Sequence, residues 1–393
     1  MTRFYSCLLG CTLIASVFAI ETAEDVPRYI MYLTGQHQVV PPPPFVNAVT
    51  HVAMAFMRSE IFNEPDRDEW PLFTSVKETR EKFAKDTKIM VAIGGWGNED
   101  GFREAARSES RRQQWAKGVR KMVEKTGADG VDIDWEYPGG NGDDYKRSPN
   151  SAHTWELTSY PLLLSALRTA LGPSKLISAA VPGLPRDMLA FTSAHIPSIM
   201  ASVDFLNIMT YDLMNRRDNV TKHHTGIKNS LEAIDAYIAA GVDPSKANLG
   251  LAFYVKWFKT DPAWRQACTA HPVGCPAVLM EDPETGVDLG KAGAFSWHDE
   301  FPKELEWSFY RAINEGTYDK DGYFYFDAEE DLFWSFDTPD AIRRKVSQIR
   351  KKRGIGGVFA WGLGEDAPDF AHLKAANKAV QLWRGGRVDR TEL

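Results

Sequence analysis

The sequence has few cysteines, no stretch dominated by one sign of charge, and only one long apolar run. Four of its 393 residues are cysteine. The formal net charge is −7, and no stripe of Lys or Arg runs along any segment. Nucleic acid, a polyanion, is therefore not an expected partner. The chain also lacks internal repeats and low-complexity linkers.

The apolar run lies at the start of the chain. It follows the basic start Met1-Thr2-Arg3, covers residues 4–18 and leads into the predicted cleavage site in the run Ser16-Val17-Phe18-Ala19. This pattern predicts a signal peptide over 1–19, and the run is short for the roughly 20 residues of a membrane span. We therefore expect a secreted, extracellular protein without a membrane partner. Retention in the endoplasmic reticulum is the alternative, because Arg390-Thr391-Glu392-Leu393 resembles a retention tail at two of four positions.

The two cysteines outside that run, Cys268 and Cys275, are seven positions apart in a turn-rich loop. In an oxidising compartment they predict one local disulfide. A metal site that uses His271 is the alternative, but no further ligand set accompanies it, and none accompanies His223-His224. We expect neither a metal nor an organic cofactor. Asn219-Val220-Thr221 is a glycosylation sequon, which places a candidate glycan on Asn219.

Short apolar runs alternate with amphipathic helical stretches along most of the chain. The predicted strands are Arg28–Leu33, Val52–Met57, Ile89–Ile93, Gly130–Trp135, Leu176–Val181, Phe205–Thr210, Leu249–Tyr254 and Gly357–Trp361. Helical spacing of apolar residues, as in Arg111–Lys125 and Tyr160–Leu171, predicts crossover helices between them. This alternation is typical of parallel sheets, and eight strands favour an α/β fold of the closed (β/α)8 TIM barrel type over an open sheet.

The regular spacing breaks once, between the seventh and the eighth predicted strand. About a hundred residues separate Tyr254 from Gly357, far more than one crossover needs. They include both cysteines of the predicted disulfide and an aromatic strand-like run, Gly322–Phe326. The predicted domains are therefore a signal peptide over 1–19, a barrel over 20–258 and 337–393, and a small inserted α+β domain over 259–336.

An acidic cluster ends the fourth predicted strand, in the run Asp129-Gly130-Val131-Asp132-Ile133-Asp134-Trp135-Glu136. Side chains alternate between the faces of a strand, so Asp132, Asp134 and Glu136 project the same way. The apolar residues between them indicate a strand that is covered on both sides. Burying three like charges is costly unless they share protons or take part in chemistry. A solvated strand end or a cation site is the alternative interpretation.

This cluster resembles the DxxDxDxE signature of family 18 glycoside hydrolases, the chitinase family, at every acidic position. The resemblance covers nearly the whole mature chain. Ala92-Ile93-Gly94-Gly95-Trp96 is similar to the strand-three SxGG motif, with Ala92 in the serine place. Met209-Thr210-Tyr211-Asp212 is similar to the strand-six motif, and Trp361 stands where the strand-eight tryptophan is expected. The segment before Asp337 resembles the family's α+β insertion. One departure is Val255-Lys256, where relatives commonly carry Gly-Arg, and it bears on substrate preference.

The resemblance implies roles for the acidic residues. Glu136 would be the catalytic acid that protonates the leaving oxygen. In this family the 2-acetamido group of the substrate replaces the usual carboxylate nucleophile. Asp134 would hold the acetamide N–H, and Asp132 would share a proton with Asp134 because two adjacent charges repel each other. Asp129 is out of phase with the other three, so we expect it to have a structural role.

The resemblance also implies which residues bind the sugar. Tyr211 would hold the acetamide oxygen and so belongs to the catalytic set, while Asp212 would contact the bound sugar. Trp361 would form the floor under the reacting sugar and Trp96 a neighbouring platform, since aromatic faces stack on sugar rings. Two further residues, Met209 and Tyr32, are candidates for substrate contact.

These implications lead to one functional hypothesis with two alternatives. We expect hydrolysis of β-1,4-linked N-acetylglucosamine polymers, chitin and chitooligosaccharides, by a monomer that retains the anomeric configuration. An endo-β-N-acetylglucosaminidase that acts on N-glycans would use the same chemistry. A chitin-binding lectin or effector without turnover is the other alternative, although the presence of Glu136 favours catalysis.

Overall fold

The computed structural model describes residues 26–385 of the protein. The predicted signal peptide over 1–19, with Cys7 and Cys11, and the C-terminal segment Arg390–Leu393 lie outside the described residues. Within 26–385, no helix is both long enough and apolar enough to cross a membrane.

Strands and helices alternate in the first part of the described chain. The strands are β1 (Arg28–Thr34), β2 (His51–Met57), β3 (Lys88–Gly94), β4 (Gly130–Asp134), β5 (Leu176–Pro182), β6 (Phe205–Met209) and β7 (Ala247–Ala252). The helices are α1 (Val76–Arg80), α2 (Asp100–Ala106), α3 (Glu109–Thr126), α4 (Glu156–Leu171), α5 (Ile196–Met200) and α6 (Ile227–Ala239). Each strand lies at a predicted position, because each is a local apolar run.

Helix α3 shows how the local sequence sets the bounds of an element. The Ser108 side chain accepts a hydrogen bond from the Arg111 backbone N–H and caps the start of the helix. Gly127 ends it with φ 74°, a left-handed conformation that glycine adopts at little cost. The apolar residues between these caps, among them Trp115 and Val119, are buried against the barrel.

The insertion after β7 forms a second, antiparallel sheet with two helices. Its elements are β8 (Tyr254–Lys259), α7 (Arg265–Ala270), β9 (Ala292–Ser296), α8 (Glu306–Glu315), β10 (Thr317–Tyr318), β11 (Tyr323–Asp327) and β12 (Leu332–Phe336). The five strands are ordered β10-β11-β12-β8-β9. Their core is separate from the barrel core and includes Phe309 and Trp334.

The insertion begins earlier than the sequence analysis placed it. Strand β7 ends at Ala252, and Tyr254, the predicted end of that strand, instead opens β8. The Phe253 N–H still donates to the Trp361 carbonyl at 2.7 Å, and the chain then leaves the barrel. Since β8 pairs with β12 and β9 and with no barrel strand, the insertion sheet starts at Tyr254 and not at residue 259.

The last part of the described chain closes the barrel. It consists of α9 (Pro339–Arg353), β13 (Gly357–Trp361) and α10 (Ala371–Trp383). Strand β13 pairs in parallel with both β1 and β7, which completes a closed barrel of eight strands. The predicted (β/α)8 barrel with an insertion before its last strand is therefore confirmed.

Barrel closure gives β4 two different environments. Val131, Ile133 and Trp135 pack into the core between the barrel and its helices, where Trp135 stacks on Phe102 with ring centroids 5.3 Å apart. The alternate residues of β4 point into the barrel. Two aspartates therefore lie inside a barrel whose other interior residues are mostly apolar.

The predicted disulfide between Cys268 and Cys275 is present in the structure. It joins α7 to the loop that leads towards β9. Beside it, Thr221 accepts a hydrogen bond from the Cys275 N–H at 2.9 Å. This hydrogen bond therefore joins the bridged segment of the insertion to the loop that follows β6.

Candidate active site

An open cleft of about 580 Å³ lies at the C-terminal ends of the barrel strands. Such a volume suits a small-molecule or sugar site. Residues that follow β3, β4, β6 and β13 line its floor, and strand β9 of the insertion forms part of one wall. The predicted site residues that line the cleft are Tyr32, Trp96, Asp134, Glu136, Met209, Tyr211, Asp212 and Trp361.

Asp132 lies beneath the cleft and is fully buried. Its carboxylate accepts hydrogen bonds from Tyr32 Oη at 2.8 Å, Ser178 Oγ at 2.5 Å and Asn207 Nδ2 at 3.3 Å. Burial raises the pKa of Asp132, and these three donors oppose that rise. Its described hydrogen bonds come from these donors and not from Asp134, so the structure does not show the proton sharing that we expected between the two aspartates.

Asp134 interacts instead with Glu136, the next acid on the same face. Burial raises the pKa of Asp134 well above its ordinary value, and the charges of Glu136 and Asp132 add to the rise. The hydrogen bond between Asp134 and Glu136 favours the proton on Asp134. Among residues 26–385, Asp134 Oδ1 is buried without a hydrogen-bond partner. The cleft floor therefore presents an unused acceptor.

Glu136 follows β4 and is partly buried on the floor of the cleft. Burial raises its pKa to about 8, and the negative charges of Asp212 and Glu99 also raise it. A hydrogen bond from Tyr137 acts in the opposite direction. A carboxyl with this pKa is protonated at neutral pH. It can therefore act as a general acid.

Tyr211 and Asp212 follow β6 and face the cleft. Asp212 Oδ1 accepts hydrogen bonds from Tyr254 Oη at 2.7 Å and from Lys256 Nζ at 2.9 Å. Burial disfavours the charged form, but the Lys256 ammonium and the His224 ring outweigh it and lower the pKa of Asp212. Asp212 is therefore a carboxylate whose position depends on the insertion.

Two tryptophans face the cleft. Trp361 ends β13, and its ring stacks on Phe56 with centroids 5.4 Å apart. Trp96 follows β3 and is half-exposed, with Tyr137 beside it and the Arg217 guanidinium 5.7 Å from its ring. The Trp361 ring thus packs on a neighbouring ring inside the barrel mouth, whereas the Trp96 ring is half-exposed to solvent at the rim.

The structure places the remaining predicted residues as follows. Tyr32 lines the cleft, but its hydroxyl group donates to Asp132, so the interior of the barrel uses that group. Met209 is almost fully buried at the end of β6. Asp129 precedes β4, accepts from the Ile89 N–H at 2.7 Å and lies 2.9 Å from Arg80 Nη1, so it ties elements together away from the cleft. Asn219 is exposed in the loop after β6.

The sequence analysis gave no place in the site to several residues, although it noted Lys256 as a departure from the family pattern. Ser178 in β5 and Asn207 in β6 are the polar interruptions of otherwise apolar strands, a signal that could have pointed to buried hydrogen bonds with the barrel interior. Tyr254 and Lys256 are two positions apart in β8 and so share a face. Glu365 also lines the cleft, and burial raises its pKa to about 7. No strand pattern marks Glu365, because it lies in the loop after β13.

In the described range, 26–385, no group of three or more His, Cys, Asp or Glu side chains could hold a metal ion. His223 Nε2 lies 3.0 Å from Asp319 Oδ2, which belongs to the insertion. His224 is fully buried behind Asp212. The two histidines thus contact different residues, His223 in the insertion and His224 at the cleft.

A (β/α)8 barrel with a neutral carboxylic acid beside a second carboxyl, in an open cleft at the C-terminal ends of its strands, has the arrangement of a glycoside hydrolase. The chain belongs to the family described as glycosyl hydrolases family 18, which matches residues 28–366.

Relatives and solved structures agree with this assignment. Endochitinase 1 of Metarhizium robertsii is 27% identical over 317 residues, which cover 76% of this chain and 66% of the relative. The chain thus spans just under two thirds of that relative. A chitinase from Rhizomucor miehei has the same fold, with a TM-score of 0.68, 21% identity and coverage of 90% of this chain and 99% of that one. A mutant catalytic domain of the Ostrinia furnacalis Group II chitinase, solved in complex with (NAG)5, has a TM-score of 0.66, 20% identity and coverage of 92% and 98%.

Proposed function

We propose that this protein hydrolyses β-1,4-linked N-acetylglucosamine polymers, chitin and its oligomers, with retention of the anomeric configuration. Membership of family 18 supports a glycosidase. The names of the relatives, a chitinase in each case, support chitin as the substrate class. The observation that carries the proposal is the pair at the cleft floor. Glu136 holds a proton up to about pH 8, and the adjacent Asp134 offers a buried acceptor without a partner among the described residues.

The first step breaks the glycosidic bond. Protonated Glu136 donates its proton to the leaving oxygen while the acetamide oxygen of the same sugar attacks C1. The bond between C1 and the leaving oxygen breaks, and a cyclic oxazolinium ion forms. Asp134 accepts the acetamide N–H through Oδ1, which has no other partner among the described residues, and so orients the acetamide for attack. Asp132 supports Asp134 from below, since Tyr32, Ser178 and Asn207 fix its carboxylate.

The second step releases the product. The Glu136 carboxylate takes a proton from a water molecule, whose oxygen attacks C1 and opens the oxazolinium ring. Glu136 is protonated again and the acetamide is restored. C1 is inverted twice, so the product keeps the β-configuration.

The cleft also supports the remaining assignments. Tyr211 faces the cleft next to the acids and would hold the acetamide oxygen, while Asp212 would accept a sugar hydroxyl. Trp361 would stack under the reacting sugar and Trp96 under its neighbour. Strand β9 walls part of one side of the open cleft, and a walled cleft suits a linear polymer better than a branched N-glycan.

We further propose that the protein is secreted as a monomer. The disulfide between Cys268 and Cys275 supports an oxidising compartment. The exposed position of Asn219 is compatible with a glycan there. Mass spectrometry of the protein from culture medium tests the cleavage after Ala19, the glycan and the bridge together.

The proposed activity is tested by incubation with chitin oligomers, with a high-mannose glycopeptide and with fully deacetylated chitosan in separate reactions. We expect turnover of the oligomers alone, because chitosan lacks the acetamide nucleophile. Proton NMR of the earliest products should show the β-anomer. Early α-anomer would exclude the proposed mechanism, cleavage of the glycopeptide alone would favour the N-glycan alternative, and binding without turnover would indicate a lectin.

A further inference from the structure

The carboxyl group of Glu365 lines the cleft without a hydrogen-bond partner among residues 26–385. Glu365 lies in the loop after β13, four positions beyond Trp361. Its side chain is only 10% exposed, and the basic atom described next to it, His37 Nδ1, is 4.0 Å from Oε1, which is beyond hydrogen-bond reach. Burying a carboxyl group without a partner is costly. A ligand group that pairs with Glu365 would therefore be stabilised there.

Two other carboxylates influence Glu365, and each of them has a basic partner. Asp299, which follows β9 of the insertion, lies 2.8 Å from His37 Nε2. Asp212 accepts a hydrogen bond from Lys256 at 2.9 Å. Burial raises the pKa of Glu365, and the negative charges of Asp299 and Asp212 add to that rise against the opposing effect of the His37 ring. In the described part of the chain, Glu365 is thus the member of this group that lacks a counter-charge at hydrogen-bond distance.

The part of the cleft around Trp96 carries arginines instead. Arg216 and Arg217 line the cleft, and the Arg217 guanidinium lies 5.7 Å from the Trp96 ring. The carboxylates that line this part lie next to these arginines, Asp288 at 3.9 Å from Arg216 and Asp187 at 3.8 Å from Arg217. Like charges repel each other, so a cationic group on a ligand is favoured beside Glu365 and disfavoured beside Trp96.

The chemistry of the proposed substrate indicates which ligand group would pair with Glu365. The hydroxyl and acetamide groups of N-acetylglucosamine are uncharged. A unit that has lost its acetyl group carries a primary amine, whose ammonium form supplies a positive charge and three hydrogen-bond donors. A metal ion is not the expected cation, because residues 26–385 contain no group of three or more His, Cys, Asp or Glu side chains that could hold one.

We propose that Glu365 is a specificity-determining residue, which binds the amine of a glucosamine unit beside the reacting N-acetylglucosamine and makes the protein prefer partially deacetylated chitin. The unit that reacts must keep its acetamide, because that group is the proposed nucleophile. The glucosamine unit is therefore a different one, held close to the proposed sugar floor at Trp361. The inference rests on the proposed hydrolysis and names a substrate feature that the hydrolysis itself does not require.

The test is digestion of soluble, partially acetylated chitosan at pH 7, followed by mass-spectrometric sequencing of the new chain ends. At this pH Glu136 still holds its proton and Glu365 is about half ionised. We expect the ratio of glucosamine to N-acetylglucosamine to be raised at one fixed position relative to the cleaved bond. Glu365→Gln should lower that ratio about tenfold or more, because a hydrogen bond to a charged group is stronger than one to a neutral amide. Continued cleavage of fully acetylated oligomers by this variant would show that it is folded.

Asp288→Asn is the matched control, because it removes a carboxylate from the same cleft at the side of Arg216. It should leave the sugar ratio unchanged, and Glu365→Asp should retain part of the preference. A random distribution of glucosamine around the bonds that the unaltered protein cleaves would overturn the proposal, as would an equal preference in Glu365→Gln. A preference for N-acetylglucosamine that Glu365→Gln loses would also contradict it and would show that Glu365 binds an acetamide.

Failure of the proposed function would look different. In that case the unaltered protein would cleave neither the chitosan nor fully acetylated oligomers. Titration calorimetry would then decide the role of Glu365 without turnover. Weaker binding of partially deacetylated oligomers by Glu365→Gln than by the unaltered protein would support the amine site, and equal binding would exclude it.

Discussion

Lys256 Nζ donates a hydrogen bond of 2.9 Å to Asp212 Oδ1 and so joins the insertion to the barrel at the cleft. Asp212 follows barrel strand β6, whereas Lys256 lies in β8, the first strand of the insertion sheet. The ammonium group is the largest influence that favours the charged form of Asp212. The insertion therefore favours the charged form of a barrel residue and also forms part of the cleft wall.

Replacing this ammonium should weaken substrate binding most at acidic pH. Lys256→Met keeps the length of the side chain but removes its charge, so the pKa of Asp212 should rise. When Asp212 is protonated, the sugar hydroxyl loses the charged acceptor that we propose for it. A hydrogen bond to a charged group contributes about 1.5–3 kcal/mol, so we expect KM for chitin oligomers to increase about tenfold or more. Steady-state kinetics between pH 4 and 7 should show the acidic limb of kcat/KM moving to higher pH. Lys256→Arg, which retains the charge, should leave the limb in place; an unchanged profile for Lys256→Met would show that the pair does not act on Asp212.

Glu136→Gln should abolish most turnover while binding is retained. The amide keeps the shape of the carboxyl but has no proton to transfer, and general acid catalysis contributes about 10²–10⁴-fold. Because a sugar is a poor leaving group, the loss of kcat should lie at or beyond the upper end of that range. Titration calorimetry with chitin oligomers should give a dissociation constant close to that of the unaltered protein. Near-normal turnover by this variant would show that Glu136 is not the catalytic acid.

The raised pKa of Glu136 should also appear in the pH dependence of rate and of stability. The acid must be protonated, so kcat/KM should fall as pH rises through about 8. The folded protein keeps this proton up to about pH 8, whereas the unfolded chain releases it near its ordinary pKa of 4.5. Since the folded state binds more protons in this window, the contribution of Glu136 to the free energy of unfolding declines as pH rises from 4.5 to 8.

Glu136→Gln has no titrating group at this position and so lacks that decline. The free energy of unfolding of the variant, relative to that of the unaltered protein, should therefore increase from pH 5 to pH 8. Urea unfolding at both pH values measures the difference, with Glu306→Gln as a control at an exposed position on α8. A stability difference that is the same at pH 5 and pH 8 would argue against a protonated Glu136.

Cys268→Ser should lower the stability of the insertion without removing activity. The bridge closes a loop of seven positions, and its loss should cost at most about 2–3 kcal/mol. The proposed catalytic acids, Asp134 and Glu136, belong to the barrel, so hydrolysis of oligomers at low temperature should persist while the melting temperature falls. Cys275→Ser should lower the melting temperature by the same amount, because either change opens the same loop. Loss of activity at low temperature in both variants would show that the bridge also positions the cleft wall.

Local sequence was enough to predict the positions of the barrel strands and the main acids of the cleft. The apolar runs of β1 to β7 and β13 are local signals, and strand alternation puts Asp132, Asp134 and Glu136 on one face. The seventh strand was predicted to end two residues too late, because the apolar pattern continues through Phe253 into Tyr254 while the backbone changes sheets. Only hydrogen-bond pairing marks that change, and pairing involves residues far apart in the chain.

The amino-acid sequence by itself determined that this is an α/β barrel with acids at the end of one strand and an insertion before the last. Tertiary structure alone decided how those acids behave. Asp132 receives its donors from Tyr32, Ser178 and Asn207, each on a different strand, whereas Asp134 interacts with Glu136. The physical reason is that a pKa depends on burial and on the nearest charges and donors. Barrel closure and the docking of the insertion supply these neighbours from distant parts of the chain, so no local pattern reports them.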